Sequence, residues 1–557
     1  MTQRALIGSC LLAVALAGCG GGSSGSAPPP PPPVTGLSAA DAARLLEQAS
    51  FGPTPSEVTR VAALGLKGYL DEQIATAPTG YSGFSYVPHT APASCKYDPT
   101  APTGAASLCA RDNYSLFQVQ RQFYQNALAG PDQLRQRVAF ALSQILVTSG
   151  VEIYEAYGMA AYQNLLLRDA LGNYRQLIED VTLSPVMGHY LDMAANDKAN
   201  AALGTSPNEN YAREVMQLFS IGVNQLNADG TLKLDANGAA IPTYDQDVIE
   251  GMASVFTGWT YPARPGAASV WTNPINFEGT MVSFPAHHDA GSKLLPNGIT
   301  APAGQTPEQD LKLALDTVFN HPNVGPFIGR QLIQHLVTSN PSPAYVARVA
   351  AVFADNGQGV RGDLAAVVRA ILSDVEARGD TPSSAAAGHL REPALFITGV
   401  LRGLGAQSDG VFLVSQSASM GQPIFAPPTV FNYYPPSYQL PGTTTLAPEF
   451  FIHDAATALA RANFLQALVY GGGAAPDPTV TGSSGTSLDL TPLTAAATDA
   501  HAMVDLVATR LLHGSLSTTA HATIETALGA LDAADTLDQA RAAAYLVASS
   551  PQYQVER

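Results

Sequence analysis

The chain has 557 residues, of which 45 are acidic and 28 basic, giving a formal charge of −17. Hydrophobic residues make up 46% and charged residues only 13%, which excludes a disordered polyelectrolyte and provides for a large core. Only six lysines occur, none after Lys312, so the chain has neither the basic footprint of a nucleic-acid binder nor a polybasic patch for anionic lipid. No nucleic-acid partner is expected.

The first residues, MTQRALIGSCLLAVALAGC, place one positive charge (Arg4) before an apolar run that ends in Leu16-Ala17-Gly18-Cys19. That is the layout of a secretory leader, too short for a permanent span. A Cys directly after Leu-Ala-Gly resembles the bacterial lipobox, in which the thiol is lipidated and the peptide is cut before it. Gly20, rather than Asp, follows the Cys, which resembles lipoproteins passed on to the outer membrane. A Gly/Ser stretch and Pro28 to Pro33 come next. Six prolines in polyproline II would hold a body roughly 19 Å off its anchor. The expected division is a leader over 1–18, a lipidated Cys19 with its tether over 19–37, and a single helical body over 38–557, lipid-anchored in the cell envelope at the outer membrane. Cys10 leaves with the leader and Cys19 carries lipid, so Cys95 and Cys109 remain, in a Pro/Gly/Ser-rich loop. A disulfide is expected there.

Helix signals dominate from Ser38 onward. Ser38 to Asp41 has the spacing of a capping box and opens a helix through Gln48. Thr54-Pro55-Ser56-Glu57 opens another, which Gly65 is expected to stop. Pro131-Asp132 begins a third, with Leu134, Val138, Leu142, Ile145 and Val147 on its apolar side. Helical patterns follow near 111–129, 156–170, 174–183, 207–221, 245–257, 307–319, 325–338, 342–354, 361–372, 391–404 and 450–469. Ala-rich stretches at 497–512, 518–530 and 535–549 complete the pattern. Asp229-Gly230 and Asn237-Gly238 predict a small hairpin within 223–243, and 268–284 adds a short strand or two. The predicted fold is mainly α, a large multi-helical body with a small β-hairpin insertion.

Signatures of catalysis and of cofactors are largely missing: there is no Walker loop, dinucleotide fingerprint, His-Glu-x-x-His or Gly-x-Ser-x-Gly. No cofactor is expected. Asn227-Ala228-Asp229-Gly230 resembles a calcium loop, but Gln225 and Ala236 stand where carboxylates belong. The densest polar run is Asn208 to Glu214. On a helix, Glu209, Asn210, Arg213, Glu214 and Gln217 share an arc of roughly 140° opposite Tyr211, Val215 and Phe219. That arc is either a solvated face with an i,i+4 ion pair or a site with Arg213 and Glu214 at its centre. A second cluster is His287-His288-Asp289 with Lys293, which could move a proton or, with a further ligand such as Glu209, Glu214 or Asp247, hold a metal. Trp259 is either a sugar-stacking platform or a core aromatic.

These segments together carry a family resemblance. Asn208 to Glu214 with Leu218 and Gly222, Asp247-Val248, Phe256-Thr257-Gly258-Trp259 and His288-Asp289 with Lys293 resemble the bacterial domain of unknown function 1800 family. So do Phe51-Gly52-Pro53-Thr54, Arg330-Gln331-Leu332 and Val337-Thr338-Ser339-Asn340-Pro341. Arg391-Glu392-Pro393, Ala426-Pro427-Pro428-Thr429-Val430-Phe431-Asn432 and Ala447-Pro448-Glu449-Phe450 complete the set, covering about residue 38 to the end. The one departure is Val215-Met216-Gln217, where the family commonly has Leu-Met-Glu. The resemblance implies an exported helical protein, commonly encoded beside an exported protein of the domain of unknown function 1501 family. It brings no activity.

Two functions remain open. In the first, the chain is a scaffold that docks an exported partner, such as that neighbouring gene product, and its polar residues form a buried network. In the second, it is a hydrolase or lyase on an extracellular polymer. There Arg213, Glu214, His288 and Asp289 would be catalytic, and Glu209, Asn210, Trp259 and Lys293 would bind. Both expect Arg213 and Glu214 to lie near the His288–Asp289 segment.

Overall fold

The computed structural model describes residues 36–379 and 387–556. The leader, Cys19 and all but the last two residues of the tether lie outside the described residues. Ser38 caps the first helix as its spacing predicts, accepting from the Asp41 N–H at 3.0 Å. Thr54 caps the second, accepting from Glu57 N–H. Gly65 breaks that helix as its sequence predicts: its backbone is non-helical, with φ 72 and ψ 169, and a second helical stretch runs on from it through Ala75.

In chain order the helices are α1 (Ala39–Ala49), α2 (Pro55–Ala75), α3 (Ala105–Asn113), α4 (Phe117–Ala129), α5 (Gln133–Ile145), α6 (Ala156–Asp169), α7 (Tyr174–Leu183) and α8 (Pro185–Tyr190). The middle of the chain adds α9 (Asn210–Gln217), α10 (Gln246–Val255), α11 (Pro307–Asn320), α12 (Val324–Leu336), α13 (Pro343–Ala354), α14 (Leu364–Ser373) and α15 (Val375–Arg378). The last part adds α16 (Pro393–Leu404), α17 (Val411–Ser419), α18 (Ala455–Val469), α19 (Thr491–Ala496), α20 (Ala500–Leu512), α21 (Thr518–Gly529), α22 (Thr536–Ser549) and α23 (Pro551–Gln554). Helix makes up 52% of the chain, and the strands among the described residues form two-stranded antiparallel pairs. These are β1 (Trp259–Thr260) with β2 (Val282–Ser283), β3 (Lys293–Leu294) with β4 (Thr300–Ala301), β5 (His389–Leu390) with β8 (Val555–Glu556), and β6 (Gln407–Ser408) with β7 (Thr486–Ser487). The mainly α expectation holds.

The predicted hairpin within 223–243 is present as three short segments joined by isolated bridges, turning at Gly230 and Gly238. The buried Asn323 pins it beside α12: its amide donates to the Ile221 and Asn224 carbonyls at 2.7 and 2.8 Å and accepts from Leu226 N–H. Cys95 and Cys109 form the expected disulfide, tying the 3₁₀ turn at Ala93–Cys95 to α3.

One contiguous hydrophobic core runs through the helices, and several of its tyrosines pair their hydroxyls with backbone carbonyls. Tyr162 donates to the Leu146 carbonyl and Tyr345 to that of Ile371, each at 2.6 Å. A close crossing explains Phe51-Gly52-Pro53-Thr54. Gly52 (φ 114) lies so near α16 that a Cβ there would stand 2.7 Å from Gly399 Cα. Arg402 of α16 then donates to the Gly52 carbonyl at 2.5 Å and pairs with Glu57 at the same distance.

Charge is also buried at the seam between the two ends of the body. Arg391 is 3% exposed and ion-pairs with Glu47 of α1; Glu556 of β8 lies 3.8 Å away and the Tyr553 ring 4.5 Å below. Arg461 donates to the Arg391 carbonyl, and Arg391 N–H to that of Gln554. His389 stands between Glu449 (3.5 Å) and Glu556 (3.7 Å). Removing one partner of such a group leaves an uncompensated buried charge. Arg391→Ala is therefore expected to lower unfolding free energy by about 3–5 kcal/mol. Denaturant melts of the two proteins test this, and a difference below about 1 kcal/mol, the surface-pair scale, would refute it.

Candidate functional site

The polar arc of α9 divides in the structure. Arg213 faces solvent and pairs with Glu209 at 2.9 Å, the i,i+4 contact of a solvated face. Glu209 also accepts from Gln246 of α10. Asn210 is half-buried and donates to Asp192 at 3.3 Å. Glu214 turns inward instead: it is 6% exposed, its Oε2 has no hydrogen-bond partner, and its charge reaches Tyr190 and Tyr244. Burial pushes the Glu214 carboxyl above its usual range, and nearby Arg213 only partly offsets this.

The second cluster closes on itself, around a residue that sequence reasoning missed. His288 and Lys293 converge on Asp310 of α11, with His288 Nε2 at 2.9 Å and Lys293 Nζ at 2.7 Å from the same oxygen. His288 Nδ1 lies 2.9 Å from the Thr257 carbonyl, and Lys293 also donates to the carbonyls of Asp289 and Gly291. Burial pushes the Asp310 carboxyl up, but the His288 and Lys293 contacts outweigh it and hold it below its usual value. Asp289 is half-buried; its own carboxylate accepts from Gly291 N–H and its N–H donates to Thr257 Oγ1. Two glycines permit the packing. Gly258, at φ 82, lets the His288 backbone come within 3.0 Å of where a Cβ would sit, and Gly251 of α10 does the same for Leu294 of β3. The sequence did carry a signal for Asp310: it stands in the apolar stripe of α11 with Leu311, Ala314 and Val318, where a carboxylate needs a partner.

Among the described residues, no hydrogen bond or ion pair joins Arg213 or Glu214 to His288 or Asp289. The α9 groups meet α10 through Gln246, whereas β3 packs at Gly251. Arg213 needed no distant acceptor because Glu209 was one turn away. Trp259 is 5% exposed within β1, so it is a core aromatic and not a platform at a rim.

Another group went unseen because it joins distant segments. His89 Nδ1 lies 2.5 Å from Glu155, whose side chain is fully buried. Tyr154 Oη is 3.3 Å from His89 Nε2, and His189, paired with Tyr261 at 2.6 Å, has its ring 5.6 Å from that of His89. Burial pushes the Glu155 carboxyl up, partly offset by hydrogen bonds including one from His89, and burial lowers His189. The His89 side chain is 34% exposed, which leaves this dyad open to solvent.

A cleft of about 80 Å3 opens between Leu218, which follows α9, Phe327 of α12 and the loop 430–436. Gln144, Gln334 and Glu449 form its polar floor, and Phe431, 52% exposed, stands at its mouth. Asn432, at φ 67, makes the turn that aims Phe431 outward; Asn tolerates that left-handed conformation better than most residues. Below it, Glu392 is 2% exposed and accepts from Gln144 (3.1 Å), Gln422 (2.5 Å) and Tyr434 (2.8 Å). Gln144 in turn accepts from Asn432 and Tyr434, each at 3.1 Å. Ser339 donates to Glu449 at 3.1 Å, and Asn340 receives Leu446 N–H at 2.7 Å. Two further clefts, of about 210 and 270 Å3, lie beside Glu152 and Tyr190 and beside Asp112 and Arg121. All three fall below the roughly 300–1,000 Å3 usual for small-molecule sites.

A raised carboxyl pKa has a definite sign. The neutral form of Glu214 is favoured in the fold, so its contribution to stability is present at low pH and is lost as pH rises past the ordinary carboxylate range. Glu214→Gln cannot ionise. The variant is expected to match the wild type near about pH 4 and to exceed it by about 1 kcal/mol near about pH 8. Thermal melts across that range check this, and a variant less stable than wild type at the higher pH would show that Glu214 has a partner.

No curated protein and no solved structure is detectably similar to this chain. The family described as "Protein of unknown function (DUF1800)" matches residues 44–555, nearly the whole length, in agreement with the extent of the sequence resemblance. The chain belongs to the DUF1800 family.

Proposed function

We propose that the chain is a docking scaffold of the cell envelope, held by lipid on Cys19, and that it receives an exported protein partner in the cleft at Phe431. One observation carries this reading. Segments far apart in sequence meet at that cleft: Gln331, Val430 to Asn432, and Pro448 with Glu449 line it, while Ser339 and Glu392 brace it from beneath. All of them belong to the ordered segments of the family resemblance. An exposed aromatic over a small apolar cleft with a polar floor suits an anchoring contact between proteins. The groups with catalytic potential at His288, Asp310 and Lys293 are buried and engaged with one another, which further supports a structural role for them. The family setting makes the exported DUF1501-type neighbour the partner to examine.

The hydrolase or lyase reading rests on a different observation, the partly open His89–Glu155 dyad, whose geometry suits a general acid–base pair.

Titration calorimetry with the purified neighbour is expected to give saturable binding that Phe431→Asp weakens at least about tenfold without shifting the melting temperature. Binding unchanged by that substitution would refute the cleft, and polymer cleavage that His89→Asn abolishes would move the function to the dyad. The anchor is tested separately. Mass spectrometry of the membrane-extracted protein is expected to find an N-terminal, acylated Cys19, and an unmodified Cys19 would overturn the tether.

A further inference from the structure

The C-terminal helices gather a set of ligating side chains that neither the cleft nor the dyad uses. α20 and α21 are joined by residues 513–517 and pack against each other. His501 and Asp505 stand one turn apart on α20, and His521 and Glu525 one turn apart on α21. The four meet between the helices with a consistent polarity. Both imidazoles turn Nδ1 toward Glu525 Oε2, at 3.2 Å from His501 and 3.6 Å from His521. Both turn Nε2 toward Asp505, at 3.4 and 2.9 Å. The ring centroids are 4.7 Å apart, and one ligand atom from each of His501, His521 and Glu525 lies within 4.8 Å of the others.

We propose that His501, His521 and Glu525 bind a zinc-class divalent ion, through the two Nδ1 atoms and a Glu525 oxygen, with Asp505 fixing both rings from behind. A tetrahedral ion with bonds of about 2.1 Å keeps its ligand atoms about 3.4 Å apart. The two Nδ1-to-Oε2 distances, 3.2 and 3.6 Å, bracket that edge. The longer one exceeds a hydrogen bond, so His521 Nδ1 faces the Glu525 oxygen without being bonded to it, while its Nε2 is held by Asp505. Asp505 occupies the place of the outer carboxylate that accepts from a ligating histidine's other N–H and sets its tautomer. Two imidazoles and one carboxylate select zinc, nickel or copper over calcium and magnesium, which take all-oxygen shells. His501 is 61% exposed and Glu525 42%, so the ion can enter from solvent and keep a water in its fourth position. Bound there, it would clip α21 onto α20.

The test uses untagged full-length chain stripped with a chelator, titrated with Zn2+ and, in parallel, Co2+. One ion per chain is expected, with a saturable rise in melting temperature and the intense visible absorption of four-coordinate cobalt. His521→Ala and Glu525→Gln should each weaken binding by more than about tenfold, and Asp505→Asn by about tenfold with stoichiometry unchanged. Asp505 and Glu525 lie on the surface of the hairpin, 60% and 42% exposed, so the metal-free Asp505→Asn and Glu525→Gln variants should melt as wild type does. Absence of saturable binding overturns the proposal. So does wild-type affinity in either His521→Ala or Glu525→Gln, which would place the ion elsewhere.

Discussion

The ion pair between Arg391 and Glu47, with Glu556 beside it, is the contact that the rest of the body depends on. Taking a guanidinium out of water costs several kcal/mol, so Arg391 is viable only where carboxylates meet it. Those carboxylates come from the first helix and from the last strand. Closing the pair therefore brings both ends of the body to the start of α16. The next residue, Glu392, then holds Gln144, Gln422 and Tyr434, and through Gln144 it fixes Asn432. The orientation of Phe431 is set by charge satisfied one residue away from Arg391.

The neighbouring charges give this joint a preferred pH. Burial disfavours a charged His389, but Glu449 and Glu556 outweigh it and push the imidazole up to about 10 from 6.5. Burial likewise works against Glu556, but His389 and Arg391 hold it down at about 2 from 4.5. A raised histidine contributes fully below its ordinary value and loses that contribution as pH climbs toward its folded one. A depressed carboxylate contributes fully above its ordinary value and loses it on acidification. Both contributions are complete only between about pH 4.5 and 6.5, so the seam loosens gradually on the alkaline side. Buried polar groups here are engaged with one another, as they are at His288, Asp310 and Lys293.

Local signals made the fold legible. Caps at Ser38 and Thr54, the paired Asp-Gly and Asn-Gly turns and the apolar stripe of 134–145 all describe what the chain does with its near neighbours. Gly65 belongs with them, since its positive φ interrupts the helix there before a second stretch runs on to Ala75. The sites were less legible because their partners are remote. His288 meets Asp310, His89 meets Glu155, Gln144 meets Glu392, and no periodicity connects these pairs. Glu214 was placed on the polar arc by its helical angle alone, which says where a side chain starts and not whether neighbouring elements cover it. Arg213 kept to the solvated face for the ordinary reason that Glu209 lay one turn before it.

β8 pairs with β5 only through Val555 and Glu556, and Glu556 stands beside both His389 and Arg391. A chain is delivered N-terminus first, so α1, β5 and α16 are all present long before their final partner arrives. Until then His389 and Arg391 lack one of their carboxylates, and the seam cannot close in its lowest-energy form. Closure of the seam is thus tied to the arrival of β8, which lies far along the chain from α1 and β5. Before β8 docks, the body holds most of its core side chains and still lacks a charge that joins its two flanks.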